Sequence, residues 1–244
     1  MLPVLQIGPL ALQMPGLMYL AGIWFGLSLA EKFAPKRGIS ADKLYNLVFT
    51  GLIAGIVGAR LGYVLLHPSA FSAAPLSLFS LNPGLLDPFS GFVAALLASL
   101  VYGQRQKLAL WATLDALTPF FAMFMVGVAL AHIASGEAFG AETSLPWGIE
   151  LWGAKRHPSQ FYELFGASLI LLALGLRSKE TSLPTGTLFL TFITLTASAR
   201  LFLEAFRGDS TLILGSIRAA QVVAWLMLAA ALWVQQQIAR GKAD

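Results

Sequence analysis

WATLDALTPFFAMFMVGVALAHIA, residues 111–134, contains one ionised side chain, Asp115, in 24 consecutive positions. At a rise of ~1.5 Å per residue such a helix is about 36 Å long, enough to cross a hydrocarbon layer of about 30 Å. Lipid offers no hydrogen-bond partner to backbone groups, so a run of this kind satisfies itself as a helix. A closed barrel would show alternating polarity, and this run is continuous. Six further stretches have the same character: about 14–31, 45–66, 86–103, 159–176, 186–206 and 217–236. Together they predict an all-α polytopic membrane protein of about seven transmembrane helices. The chain, residues 1–244, reads as a single transmembrane domain, and no internal repeat is visible.

The rest of the chain agrees with lipid as its solvent. Hydrophobic residues make up 57% and charged residues 11%, against about 25% charged in an ordinary soluble domain. Too few charges exist to cover a soluble globule. There is no cysteine, so disulfides and thiolate metal sites are excluded. The net charge of +4 does not point to nucleic acid, because the positions of the charges matter more than their sum. The opening segment MLPVLQIGPLALQMPG has no Lys or Arg. A cleaved signal peptide needs a positive region ahead of its apolar stretch, so the first apolar segment is expected to be a retained span.

Of the 16 basic residues, ten fall on one side of the predicted spans: Lys32, Lys36, Arg37, Lys43, Arg105, Lys107, Arg177, Lys179, Arg240 and Lys242. Four fall on the other: Lys155, Arg156, Arg207 and Arg218. Cytoplasmic loops are the richer in Lys and Arg, which predicts an outside N-terminus and a cytoplasmic C-terminus. The loops His67–Leu85 and Ser135–Pro158 then lie outside, the second carrying Trp147 and Trp152 at a membrane interface or a substrate rim.

Two arginines, Arg60 and Arg200, fall inside predicted spans. A mid-membrane arginine costs at least about 2.5–3.5 kcal/mol unless it snorkels or is paired. Arg60 sits in GLIAGIVGARLGYVLLH; it either snorkels toward the outer end or faces inward onto a phosphate or a carboxylate. Gly58 and Gly62 beside it form a small-xxx-small pair that admits a close neighbouring helix. Arg200, Glu204 and Arg207 in TASARLFLEAFRGDS are spaced i,i+4 and i,i+3, which predicts one shared helix face. They read either as a buried ion pair or as a carboxylate orienting an arginine toward an anionic headgroup. An arginine fork suits phosphate because it donates bidentately and stays charged. In KRHPSQFYELF, His157, Gln160 and Phe161 are expected to stack at i, i+3 and i+4, with Tyr162 and Glu163 close behind, either lining a cavity or capping the helix. His132 and Glu137 flank the end of the fourth span. The three histidines have no HxxxH or HExxH spacing, so no metal site and no cofactor are expected.

HPSQFYE, residues 157–163, closely resembles the signature of the prolipoprotein diacylglyceryl transferases. In the same order, IGPLALQMPGLMYLAG with Tyr19 resembles the family's start. VGARLGYVLLH with Arg60 resembles its second-span arginine motif, and ARLFLEAFRGDS its R-xxx-E-xx-R motif. The resemblance covers nearly the whole chain. It implies a multi-pass enzyme of the bacterial cytoplasmic (inner) membrane that moves the diacylglyceryl group of phosphatidylglycerol onto the lipobox cysteine of a prolipoprotein, releasing glycerol phosphate. Its implied partners are phosphatidylglycerol, prolipoprotein signal peptides and membrane lipid. In two places the chain departs from the family pattern. PFSGF, with Ser90, stands where the family has His-Gly-Gly. VALAHIASGEAFG places Ala129 where the family has an arginine and His132 where it has an asparagine, while keeping Gly136, Glu137 and Gly140. The catalytic candidates are therefore His132, Arg200 and Glu204. The substrate-binding candidates are Tyr19, Arg60, Gly136, Glu137, Gly140, His157, Gln160, Tyr162, Glu163 and Arg207. A homologue that kept only the fold would instead bind phospholipid or act as a membrane scaffold.

Overall fold

A computed structural model describes residues 3–240 except 9, 74, 81, 179–182 and 214, so Lys179 and Lys242 of the charge pattern lie outside the described residues. The elements, in chain order, are β1 (Val4–Ile7), β2 (Leu10–Gln13), α1 (Met14–Phe33), α2 (Ala41–Leu66), the short α3 (Pro68–Ala73), α4 (Pro88–Arg105), α5 (Leu110–Ser135), β3 (Ile149–Leu151), β4 (Ala154–Arg156), α6 (Ser159–Arg177), α7 (Thr187–Leu203), β5 (Leu212–Ile213), β6 (Ile217–Arg218) and α8 (Ala219–Arg240). Among the described residues, a helix occupies each of the seven apolar stretches, and three two-stranded antiparallel ribbons decorate their ends. Among the described residues, five helices are long and apolar enough to cross a membrane: α2, α5, α6, α8, and α7 with its 3-10 extension to Phe206. The other two long helices carry polar ends, Glu31 and Lys32 in α1 and Gln104 and Arg105 in α4. The protein is thus a multi-pass, all-α membrane protein.

The chain divides into two compact units. One is Ala34–Thr113. Ser40 caps α2 and Asp87 caps α4, the latter through Ser90 N–H at 2.7 Å, with Pro88 in the first turn. Lipid tails are as apolar as the side chains, so apolar surface alone does not drive helices together in a bilayer; close backbone approach does. The stripe Gly51, Gly55, Gly58 and Gly62 of α2 provides it. A Cβ on Gly58 would overlap Ala94 of α4, and one on Gly62 would overlap Ser90. Gly91 of α4 answers the stripe, its missing Cβ leaving 2.9 Å to Ala59. Arg60, half-buried on α2, donates from Nη1 to the Leu85 carbonyl at 2.9 Å, and Asp87 N–H donates to the Ala59 carbonyl at 2.9 Å. Together they fasten the turn that starts α4.

The second unit combines Met1–Phe33 with Leu114–Asp244. Gly22 and Gly26 of α1 face Gly127 and Phe120 of α5 with no room for side chains. Phe33, Ala122, Ile170, Leu174, Leu188 and Phe192 form its apolar core. Asp115, the one charge in the stretch that decides the fold, is fully buried and accepts from Gly186 N–H at 2.8 Å and Phe189 N–H at 2.9 Å. It satisfies the free amides at the start of α7 from a neighbouring helix.

Two measurements check this packing. Gly62→Leu forces a side chain into the α2–α4 seam, an overpacking that costs about 1–3 kcal/mol, and thermal unfolding in detergent should show a lowered midpoint. Asp115→Ala strands two amides, at about 1–3 kcal/mol, and should lower the same midpoint while Asp115→Asn keeps part of it.

Candidate functional site

The site belongs to the second unit and is built around one carboxylate. Glu163 lies on the second turn of α6, and only 14% of its side chain is exposed. His132 Nδ1, from the last turn of α5, lies 2.9 Å from its Oε2. Its Oε1 accepts from Arg207 Nη1 at 2.6 Å and from Arg200 Nη1 at 3.3 Å. Four segments therefore meet on a single side chain: α5, α6, α7 and the turn after α7.

The arginines differ in how completely they are engaged. Arg207 is 12% exposed, and its Nε and Nη2 grip both oxygens of Asp209, at 2.9 and 2.8 Å. Burial works against its charge, but the hydrogen bond to Asp209 and the charges of Glu163 and Asp209 outweigh that and hold its pKa above the usual guanidinium value. Arg200 is 38% exposed, with Nη2 2.9 Å from Glu204 Oε2. Glu204 is 1% exposed and also accepts from Ser210 Oγ at 2.7 Å. Arg218, just ahead of α8, donates from Nη1 to the Glu204 carbonyl, to the Arg207 carbonyl at 2.7 Å and to Ser210 Oγ at 2.7 Å. Arg156 is engaged through Nε, Nη1 and Nη2 with Leu151, Gly140 and Glu142, and lies over the Phe139 ring at 5.0 Å. Arg200 is more open than Arg207 or Arg156.

Beside this cluster is a cavity of about 160 Å³ between α5, α6 and α7. His132, Glu163 and Arg200 line it together with Thr196. The remaining walls are apolar: Met125, Val128, Ala129, Ile170, Leu203 and smaller residues. A charged end joined to an apolar chamber suits an amphiphile with an anionic head.

The spacing of Arg200, Glu204 and Arg207 predicted one shared helix face, and the structure corrects this. α7 ends at Leu203, Glu204–Phe206 tighten into a 3-10 turn, and Arg207 is extended at ψ 140. The Arg200–Glu204 pair forms, while Arg207 turns away to Glu163 and Asp209. The stacking expected in HPSQFYE also differs. His157 precedes the helix and packs edge-on against Phe206 at 5.2 Å and Tyr162 at 6.3 Å. Gln160 is fully buried with Nε2 donating to the Glu137 carbonyl at 3.0 Å, whereas Phe161 points outward, 49% exposed. Ser159 Oγ donates to the Ala138 carbonyl at 2.5 Å, and Tyr162 Oη accepts from Trp147 Nε1 at 2.9 Å.

The remaining candidates separate into scaffold and outlying positions. Gly136 has φ +82 and its carbonyl accepts from Trp152 Nε1 at 3.1 Å. Gly140 must be glycine because a Cβ would run into the His157 carbonyl. Around it Ala141 N–H donates to Phe206, Gly208 N–H to Phe139 and His157 N–H to Ala141, at 2.8–2.9 Å, so the three segments that carry the site are sewn by backbone. The Glu137 side chain is exposed. Tyr19, half-buried on α1, lies against Phe124 at 6.3 Å. Arg60 belongs to the other compact unit. Asp209 and Ser210 were missed as site residues; their signal was their place just beyond Arg207.

Residues 3–236 match the protein family described as prolipoprotein diacylglyceryl transferase. The phosphatidylglycerol–prolipoprotein diacylglyceryl transferase of Photobacterium profundum is 32% identical over 212 residues, 84% of this chain and 80% of that protein. The protein of the same description from Synechocystis sp. (strain ATCC 27184 / PCC 6803 / Kazusa) is 33% identical over 234 residues, 89% of this chain and 82% of that protein. That from Clostridioides difficile (strain 630) is 30% identical over 211 residues, 85% of this chain and 83% of that protein.

The hub role of Glu163 can be measured directly. Glu163→Ala leaves Arg207 and Arg200 without their shared acceptor in a mostly buried place, a loss of about 1–3 kcal/mol. The thermal midpoint should fall, and should fall less for Arg200→Ala, whose side chain is the more open.

Proposed function

The chain belongs to the prolipoprotein diacylglyceryl transferase family, and on that footing we propose that it transfers the diacylglyceryl group of phosphatidylglycerol to the lipobox cysteine thiol of a bacterial prolipoprotein. The reaction is displacement at a glyceryl carbon. The thiol sulfur forms the new C–S bond, the C–O bond to phosphate breaks, and glycerol phosphate leaves. Such chemistry asks for a cation beside the phosphate, a group to take the thiol proton, and a chamber that excludes water from the reacting carbon.

The observation that carries the reading is Arg200. It is more exposed than Arg207 or Arg156, it lines the cavity at the junction of polar and apolar walls, and a buried Glu204 orients it. A guanidinium held from behind in this way can present its open edge to a phosphate diester. Arg207, locked between Glu163 and Asp209, positions Glu163 instead. In this reading Gly136, Gly140, His157 and Gln160 shape the loop between α5 and α6, and Tyr19, Arg60, Glu137 and Tyr162 are proposed to contact the lipid or the signal peptide.

The distribution of Lys and Arg supports seven crossings of the bacterial inner membrane, with the N-terminus outside and the C-terminus cytoplasmic. The ends of α5 and α7 and the start of α6 then fall near the outer surface, the side on which a lipobox cysteine becomes accessible.

The test is incubation of the purified protein with phosphatidylglycerol vesicles and a lipobox peptide, followed by mass spectrometry for the diacylglyceryl thioether. Product is expected, and its absence beside an active family member would sink the reading. Arg200→Ala should lower the rate by at least ~100-fold, in the range for loss of a preorganised charge donor. Arg200→Lys should recover only part, because an ammonium lacks the planar fork. Unchanged turnover in Arg200→Ala would remove this residue from the phosphate site.

A further inference from the structure

A network of balanced charge reaches the cavity through Glu163 and Arg200, and the reaction does not leave charge where it found it. Arg200, Arg207 and Arg218 supply three positive charges, and Glu163, Glu204 and Asp209 supply three negative ones, all joined by the contacts above. The substrate phosphate is a diester with one negative charge. Once the C–O bond breaks it is a monoester dianion with two. A fixed cation would meet the first charge as well as the second. A transition state is favoured only by what grows along with its charge.

His132 is placed to supply that. Glu163 accepts from two arginines and is therefore ionised, so the 2.9 Å contact with His132 is a hydrogen bond in which Nδ1–H donates. In the neutral imidazole that contact fixes the tautomer and leaves Nε2 with a free lone pair, the logic by which a carboxylate holds an imidazole ready as a base. Nε2 has no hydrogen-bond partner among the described residues, and His132 lines the cavity with Arg200. The charged group that meets the ring is Glu163 from α6, with its partners Arg200 from α7 and Arg207 from beyond the following turn; Glu204, in that turn, pairs with Arg200. On its own element Glu137 lies exposed beyond the helix end.

Resting on the transferase reading, we propose that His132 is a proton carrier that serves as base and as the site's switchable cation in one turnover. Nε2 takes the thiol proton as the sulfur electron pair forms the C–S bond. The C–O electron pair departs with the phosphate, which gains its second negative charge while the imidazole gains a positive one. The imidazolium then gives its proton to the phosphate monoester, which leaves as the monoanion, and His132 returns to neutral. Every proton and charge is accounted for, and no further reactant is needed.

The experiment compares wild type with His132→Gln and, as a second neutral variant, His132→Asn. Initial rates of thioether formation with phosphatidylglycerol vesicles and lipobox peptide are measured from about pH 6.5 to 9.5, a range that brackets the ordinary thiol pKa of ~8.5. Near pH 7 both variants should lose at least ~100-fold in kcat, the range for a general base, with KM for phosphatidylglycerol within about two-fold of wild type. The unchanged KM also reports that the variants are folded. The deficit should shrink to less than about ten-fold by about pH 9.5, where a free thiol ionises unaided. A deficit of the same size at every pH, unchanged kcat in both variants, or a KM increase that accounts for the whole loss would overturn the proton-carrier role. These outcomes leave the transferase reading standing, because the wild type is active. A wild type that makes no thioether overturns both.

Discussion

A carboxylate that must stay charged in apolar surroundings organises everything around it. Glu163 enters the protein on a helix that faces lipid on one side and a cavity on the other. Unpaired, its charge would be too costly to keep there. Two guanidiniums and an imidazole resolve the problem, and each comes from a different segment. The constraint therefore runs in both directions. The arginines make Glu163 tolerable, and Glu163 fixes where the ends of α5 and α7 and the loop after α7 must meet. A truncation that removed the carboxylate would leave the cations, not the carboxylate, as the unsatisfied groups.

The backbone around the site is shaped to permit that meeting. Gly140 and Gly208 allow the loop after α5 to lie against the segments carrying His157 and Arg207, so closely that a Cβ on Gly208 would come within 2.6 Å of the Gly140 carbonyl. Arg218 then closes the turn between α7 and α8 through the carbonyls of Glu204 and Arg207, and Ser210 through the Glu204 carboxylate. Irregular backbone near membrane depth is tolerated only where protein or a cavity satisfies it. Here side chains at the start of α8 provide those partners, and the result is a rigid mount for Arg207.

What the sequence disclosed and what it hid have physical causes. The helices were legible because apolar runs of that length have one solution in lipid, and the glycine stripe on α2 was legible because small residues at spacing four mark a close crossing. The pairing of Arg200 with Glu204 followed from helical spacing. Arg207 did not, because the same spacing argument assumes that the helix continues, and α7 ends at Leu203. Phe161 was grouped with His157 and Gln160 for the same reason, although His157 precedes the helix and Phe161 faces outward. The partnership of His132 with Glu163 joins residues 31 apart in sequence, and no periodicity reaches that far. Arg218 looked like a loop charge, since nothing in its neighbours announces that it serves three oxygens of a preceding turn.

Ala129 and His132 lie three residues apart and both line the cavity, so they sit on one face of α5, one turn from each other. The resemblance drawn from the sequence implies a permanent guanidinium at the first of these positions and a neutral amide at the second. This chain reverses the arrangement, with an apolar methyl at the first and a titratable ring at the second. A guanidinium at position 129 would add a fourth fixed positive charge to a network of three against three, favouring an anionic lipid before reaction as much as during it. The imidazole adds none until it accepts a proton. On the proposed reaction, the exchange gives up standing attraction for the substrate headgroup and leaves Arg200 as the open cation for that task. On the proposed proton transfer, it gains a positive charge only while the leaving phosphate carries its extra negative one.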